Sequence, residues 1–340
     1  MTIQTVSELE EALSRPTAAD IEAVKGLDGE LLLLGVSGKM GPTMARLAIR
    51  AAEEAGIELK VRGAARFSDP AARGLLDAMG VETIQCDLLD PASVNALPDS
   101  RNVLYMVGQK FGTSGNQPLT WAINAAAPAY AAERFKTSRM VAFSSGNVYP
   151  LTPVESGGPV ETDPLGPVGE YAWSALGRER VLTYQSGRYG FPLTILRLNY
   201  AIDLRYGVLR DIAEQVHSGR PVDVSMGYAN VIWQRDANSV ALRSFAHAAN
   251  PPFVLNLTGA ATFSVREAAG KFAELFGVEA KISGTEAPTA LLNNAALCAE
   301  MFSPETVTLD WMIEQTAAWV QAGGAGLGKP THFQQRDGAF

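Results

Sequence analysis

The stretch LLLLGVSGKMGPTMARLA, Leu31 to Ala48, decides how this chain is read. LLLLGV is a short apolar run interrupted by glycine. It suits a strand buried on both faces of a parallel sheet and is far too short to span a bilayer. A helix is expected from Thr43 to Ala55, ended by Gly56. Gly35, Gly38 and Gly41 therefore fall in the turn between strand and helix. Glycines there permit a tight turn, close approach of a pyrophosphate, and close packing of helix on strand. The helix N-terminus then offers N–H groups and the positive end of its dipole to phosphates. Gly35, Gly38, Lys39, Met40 and Gly41 are accordingly candidate cofactor-binding residues. The alternative is a glycine turn with a structural role only.

Outward from this turn, strands alternate with helices. Further strands are expected at 57–65, 81–87, 102–107, 140–144 and 193–198, with a helix from Asp69 to Met79 stopped by Gly80. This alternation implies right-handed βαβ units and an α/β fold, a Rossmann-like doubly wound parallel sheet. Beyond residue 200 it loosens. Ser264 with Glu267 marks a helix start that Gly277 stops, and another helix is expected from Val307 to Gln321. The expected division is an N-terminal helical extension (1–29, with Ser7 and Glu10 as a capping box) and a dinucleotide-binding domain (30–200, rejoined by 222–255). A smaller substrate lobe (200–222 and 255–325) and an irregular tail (326–340) complete it.

Bulk properties narrow the class. The 340 residues are 47% hydrophobic, enough for a sizeable core, and carry a net charge of −8, which disfavours a phosphate backbone as partner. Cys86 and Cys298 form no CxxC pair, and His217, His247 and His332 show no metal-binding spacing. The acidic N-terminus lacks the apolar core of a signal peptide. A cytoplasmic protein with a small-molecule substrate, and neither nucleic-acid nor membrane partner, is expected.

The GxxGxxG spacing resembles the extended branch of the short-chain dehydrogenase/reductase superfamily, the NAD-dependent epimerase/dehydratase family. Several separate blocks carry the resemblance between about Leu31 and Gln321. Asp87 and Leu88, closing the third strand, resemble the family's adenine-contacting positions; Asp87 alternatively caps the next turn. Val107, Gly108 and Lys110 at the fourth strand end, Pro118-Leu119 and helix residue Asn124 resemble the UDP-galactose 4-epimerase subgroup. There the lysine reaches cofactor and substrate, and the asparagine orders the proton relay. MVAFSSGNVYP (140–150) resembles the family's SSxxVYG block, with Ser145 as the hydroxyl that meets a substrate oxygen. Arg197 and Asn199 resemble its R-x-x-N, and Asp236 its later V-x-D-V-A.

Selectivity between NAD and NADP is read from the second strand end, VRGAARFSD. No acid stands at the usual ribose-binding position. Arg66 and Lys39 can both pair with a 2′-phosphate, which favours NADP over NAD.

A further block, EYAWSALGRERV (170–181), departs from the family. Tyr171, Ser174 and Glu179 match Y-x-x-S-K-x-x-x-E, but Ala175 stands where the family has lysine. That lysine binds the nicotinamide ribose and lowers the tyrosine pKa, near 10 when free, so that the phenol acts as a base near neutrality. Three readings follow: an oxidoreductase whose relay uses Tyr171, Ser145 and Asn124 with the charge supplied by Lys110; a cofactor-assisted elimination or epimerisation with Tyr171 as neutral donor; or a catalytically silent dinucleotide-binding sensor or scaffold. The resemblance implies a sugar or sugar-acid substrate, nucleotide-linked or free. It also implies a homodimer through the helices of Asn124 and Tyr171. Arg205, Arg210 and Arg220 are candidates for an anionic substrate group or ordinary surface charges. Lys329, His332 and Arg336 lie in a tail that can fold over the cleft.

Overall fold

The apolar run forms strand β1 (Glu30–Leu34), in which Leu31 to Leu34 are fully buried. Each such leucine contributes about 1.5–3 kcal/mol by leaving water. The structure is a computed structural model describing residues 2–110, 115–304, 306–329 and 331–338. In it, β1 is an interior strand of a seven-stranded sheet with β2 (Lys60–Ala65), β3 (Glu82–Gln85), β4 (Asn102–Tyr105), β5 (Arg139–Ser145), β6 (Leu193–Leu198) and β7 (Phe253–Leu257). The spatial order is β7-β6-β5-β4-β1-β2-β3, and every neighbouring pair is parallel. The chain winds one way from β1 to β3 and the other way from β4 to β7. This is the expected doubly wound order. Its crevice opens at the carboxyl ends of β1 and β4, where the winding reverses.

Strand β7 is an addition to the sequence reading. It pairs with β6 from Phe253 beside Thr194 to Leu257 beside Leu198. The crossover between them holds short strands and two helices, Val208–His217 and Gln234–Arg243, so no simple strand–helix–strand period announces it. The glycine turn is followed by helix Gly41–Ala55, which starts two residues early because Pro42 suits a first turn whose N–H has no partner.

A second core holds the lobe. It joins Leu204, Leu209, Ile212 and Val216 to Trp233, Phe263, Phe272, Trp319 and Phe333. The N-terminal helices Val6–Leu13 and Ala18–Lys25 bridge the two cores: Leu9 and Leu13 enter the lobe, Val24 and Leu27 the sheet. Their capping boxes are Thr5 with Glu8 and Thr17 with Asp20. Ser7 lies inside the first helix, so the expected Ser7–Glu10 box is corrected: the overlapping Thr5 pattern satisfies the first-turn N–H groups two residues earlier. The tail is irregular over its described residues; Pro330 and 339–340 lie outside them.

Candidate active site

A cleft of about 470 Å³ lies at the crevice. Gly35, Ser37 and Gly38 form its floor after β1. Ala65, Arg66, Phe67, Ser68 and Asp69 line it after β2, Asp87 and Leu88 after β3, and Val107 and Gly108 after β4. Four consecutive strand ends thus converge on one volume. Gly35 takes φ +89°, where a side chain is strained, and a Cβ there would also meet Val107 Cγ2 at 2.6 Å. A Cβ on Gly41 would lie 2.0 Å from the Val36 carbonyl oxygen. The first helix turn therefore packs directly on the loop backbone. A bare, glycine-walled cradle at a helix N-terminus fits the pyrophosphate of a dinucleotide.

Lys39 is not part of this cradle. Its Nζ donates to the Ala201 carbonyl at 2.7 Å and stands 4.3 Å from the Tyr206 ring centre. Burial pushes its pKa down to about 8, against the opposing pull of Asp203. The expected 2′-phosphate role of Lys39 is corrected. The lysine turns inward because the lobe offers a carbonyl and an aromatic face that the open cleft does not. Met40 likewise packs against the sheet core, and Gly41 acts through packing. Arg66 remains exposed on the cleft wall, while Asp69 caps helix Pro70–Ala78 through the Ala71 amide. Asp87 accepts from the Leu89 amide at 3.0 Å; the next helix is capped by Asp90.

Asn124 sits fully buried in a π-helical turn, Ala122–Ala126. Such single turns re-aim a side chain within a helix. Its Oδ1 accepts from the Gln109 amide (2.9 Å) and from Arg178 Nη2 (2.8 Å); its Nδ2 donates to the Gln109 carbonyl (3.0 Å) and Ser174 Oγ (2.8 Å). Asn124 thereby fastens the β4 loop, which carries Gly108 and Lys110, to the helix of Tyr171. Arg178, overlooked in the sequence, completes this junction by donating to the Phe143 carbonyl. A Cβ on Gly108 would come within 2.8 Å of its Nη2. The signal was there: Ser174 and Arg178 lie three and seven residues beyond Tyr171, on one helix face.

Tyr171 opens helix Glu170–Tyr189 and is half-buried. Ser145 ends β5, and its Oγ accepts from the Asn147 amide (3.2 Å) and donates to Asn147 Oδ1 (3.0 Å). Ala175 is 1% exposed in an apolar cluster with Val148, Tyr149 and Leu176. The methyl group thus has a packing role there, and no cation reaches the site from that position. Lys110 lies 5.4 Å from the Tyr200 ring centre; burial lowers its pKa to about 8, partly offset by Asp211. Tyr200 and Tyr206 are pushed well above the ordinary phenol value, chiefly by burial and then by Asp211, with Tyr171 adding to it.

Beneath the site, Glu179 accepts from Ser144 Oγ (2.6 Å) and pairs with Arg197 Nη2 (2.9 Å), both side chains 6% exposed. Arg197 also donates to Tyr149 Oη (2.6 Å). The pair is a frame for the β5 and β6 ends. Asn199 donates to Asn230 Oδ1 at 2.8 Å and is not among the residues lining the cleft. Asp236 is bound by Thr306 and Arg235. Arg205 ties Asp203 to Glu10 of the extension, Arg210 holds the Leu204, Gly324 and Ala325 carbonyls, and Arg220 contacts Ser218. None of the three has the free, convergent placement of an anion ligand. Arg336 binds Thr289 through its carbonyl and hydroxyl (both 2.6 Å), and Lys329 lines the cleft.

No curated protein sequence matches the chain. Solved structures do. UDP-glucuronic acid 4-epimerase from Bacillus cereus, in complex with NAD, superposes with a TM-score of 0.70 at 15% identity, covering 86% of this chain and 98% of that one. The UDP-Glc/GlcNAc 4-epimerase of Campylobacter jejuni gives 0.69 at 20% identity, over 86% and 99%. The Thermus thermophilus UDP-glucose 4-epimerase complex with NAD gives 0.68 at 18%, over 86% and 99%. At these identities the likeness establishes the fold. Residues 31–261, more than half of the chain, match the profile of one family, and they include the glycine cradle, Asn124, Ser145, Tyr171 and the Glu179–Arg197 frame. The protein belongs to the NAD dependent epimerase/dehydratase family, enzymes of the short-chain dehydrogenase/reductase type.

Proposed function

We propose that the protein is an NAD(P)-dependent epimerase, dehydratase or dehydrogenase acting on a sugar or sugar-acid derivative, with a modified Ser/Tyr proton relay. The observation that carries this reading is the joining of two structures by Asn124: the glycine-walled cleft and the Tyr171 helix. Gly35, Gly38, Arg66, Asp87, Leu88, Val107 and Gly108 would hold the dinucleotide. When bound, it supplies a two-electron acceptor beside the substrate carbon. Tyr171 takes the substrate hydroxyl proton at its phenolic oxygen and returns it. Ser145 Oγ orients the same oxygen.

Lys110 supplies the positive charge that Ala175 does not. It comes from the β4 loop instead of the tyrosine helix and is held near Tyr200, whose environment also senses Tyr171. Arg66 is the sole basic residue on the adenosine-side wall after β2 and makes the site receptive to a 2′-phosphate, favouring NADP over NAD. The NAD complexes of the epimerases above make a sugar nucleotide a natural first substrate to try. Leu119, Trp121, Trp173 and Tyr184 are exposed on the two helices around Asn124 and Tyr171, which supports a homodimer through them.

The test has three steps. NADH and NADPH binding is followed by fluorescence. UDP-sugars and free sugar acids are then screened for nicotinamide reduction or epimerised product. Lys110→Ala is compared with wild type. Turnover that survives Lys110→Ala unchanged removes Lys110 from the relay. Tight cofactor binding with no turnover across the screen leaves the sensor reading standing.

A further inference from the structure

The sheet and lobe do not complete the site alone. After helix Leu309–Gln321, residues 324–329 and 331–338 run along the lobe, touching the cleft at Lys329 and a second, small pocket at Gln335, Arg336 and Gly338. Arg210 fixes the start of this strap through the Gly324 and Ala325 carbonyls, and Leu327 N–H donates to the Arg205 carbonyl. Lys329 then lines the same cleft as Gly35, Ser37 and Gly38. Next, the Thr331 amide and hydroxyl both donate to Asp211 Oδ2, and Thr331 is fully buried. Phe333 plugs into the lobe core. At the far end a Cβ on Gly169 would lie 2.5 Å from the Gly338 carbonyl oxygen, directly before the helix of Tyr171. Only about 20 Å³ remains between Asn147, Tyr149, Gln335, Arg336 and Gly338.

We propose that this strap is part of the cofactor site: the Lys329 ammonium is a ligand to the phosphates of the bound dinucleotide, and the Thr331–Asp211 clasp holds it in place. The proposal rests on the dinucleotide reading above. Three observations carry it. Lys329 lines the same cleft as the glycine cradle, where anionic oxygens would lie. Residues on both sides of it are pinned, Leu327 to Arg205 and Thr331 to Asp211, so its backbone is held at the edge of the cleft. The cradle itself brings no cation, because Lys39 is turned inward to Ala201. Backbone N–H groups and a helix dipole leave the pyrophosphate short of a counter-charge, and an ammonium supplies it. The strap also lies outside the 31–261 segment that the family shares. Cofactor binding and strap closure are thereby coupled: each stabilises the other.

The experiment uses the full-length protein, with NADH, ADP and adenosine as probes, in wild type, Lys329→Gln and Lys329→Arg. Lys329 is exposed, so both variants are expected to melt with the wild type. Lys329→Gln is expected to weaken NADH and ADP about tenfold while leaving adenosine unchanged, and Lys329→Arg to stay within about threefold of wild type. Hydrogen exchange gives a second readout. NADH is expected to slow exchange at Leu327, Thr331, Phe333 and Gln335 in wild type, and much less in Lys329→Gln. Unchanged NADH and ADP affinity in Lys329→Gln, with wild type binding both, overturns the strap proposal and leaves the dinucleotide reading intact. Wild-type protein that binds neither overturns that reading and this proposal with it.

Discussion

The cofactor half and the chemistry half of this site are built in opposite ways. The first is open and built mainly from neighbouring strand ends: four of them and one glycine turn line about 470 Å³, joined by Ile123, Ala127 and Lys329. The second is crowded and assembled from distant segments. The β4 loop, a π-helical turn, the Tyr171 helix, the lobe at Tyr200 and Asp211, and the strap at Thr331 all meet there. A site of the first kind needs particular backbone shapes at set spacings. One of the second kind needs particular side chains, and alternative segments can deliver them. That difference explains how a lysine can be absent from position 175 while the rest of the constellation stays in place.

The largest test of the comparison separates the halves. Tyr171→Phe removes the oxygen to which the proposed relay assigns proton transfer and is expected to lower turnover about 10²–10⁴-fold, with NADH affinity within about twofold. Loss of cofactor binding of similar size would show that the two halves are not separable. Next, Arg197→Ala leaves the Glu179 carboxylate buried with Ser144 alone. The expected loss is about 3–5 kcal/mol in urea unfolding, because an unpaired buried charge remains. A loss under about 1 kcal/mol would show that the frame contributes little.

The two half-buried lysines sharpen the contrast through pH, with opposite signs. Lys110 is charged below about 8 and neutral above it. If its charge supports Tyr171, turnover falls as pH rises through about 8, approaching tenfold per unit; Lys110→Arg, which stays charged, is expected to move that fall upward. Stability goes the other way. Lys39 and Lys110 have folded pKa values near 8 against an ordinary 10.5. The unfolded chain therefore binds more protons between those values, and stability contributed by these groups rises with pH across that window. Lys39→Met is expected to flatten this rise in urea titrations at a series of pH values. A rise as steep as the wild type's would remove Lys39 as its source.

The same contrast governs what was legible in the sequence. β1, the glycine turn and the strand–helix alternation were readable because backbone geometry imposes periods and glycines at set offsets. Ser145, Asn124 and Tyr171 stood out by matching family blocks. Lys39 was misread because its neighbours in sequence line the cleft, while its partners, Ala201 and Tyr206, lie more than 160 residues away. Arg178 falls on an unspecified position of the family block and was passed over, although its seven-residue offset from Tyr171 placed it on the same helix face. The strap left no period at all. Its anchors are polar contacts to Arg205, Arg210, Asp211 and Thr289, and only the folded chain brings them together.

The smallest effect probes the open half alone. Arg66 is exposed on the cleft wall, next to Phe67, Ser68 and Asp69. An exposed guanidinium facing a 2′-phosphate is screened by salt, so its contribution is modest: Arg66→Ala is expected to weaken NADPH about three- to tenfold at low ionic strength and NADH hardly at all. The loss should shrink as salt is added. Equal weakening of both nucleotides would place Arg66 against the adenine or the pyrophosphate and remove the basis for preferring NADP. No change in either would leave Arg66 as a solvated surface charge, and the open half would then recognise its cofactor by backbone shape and Asp87 without a selective cation after β2.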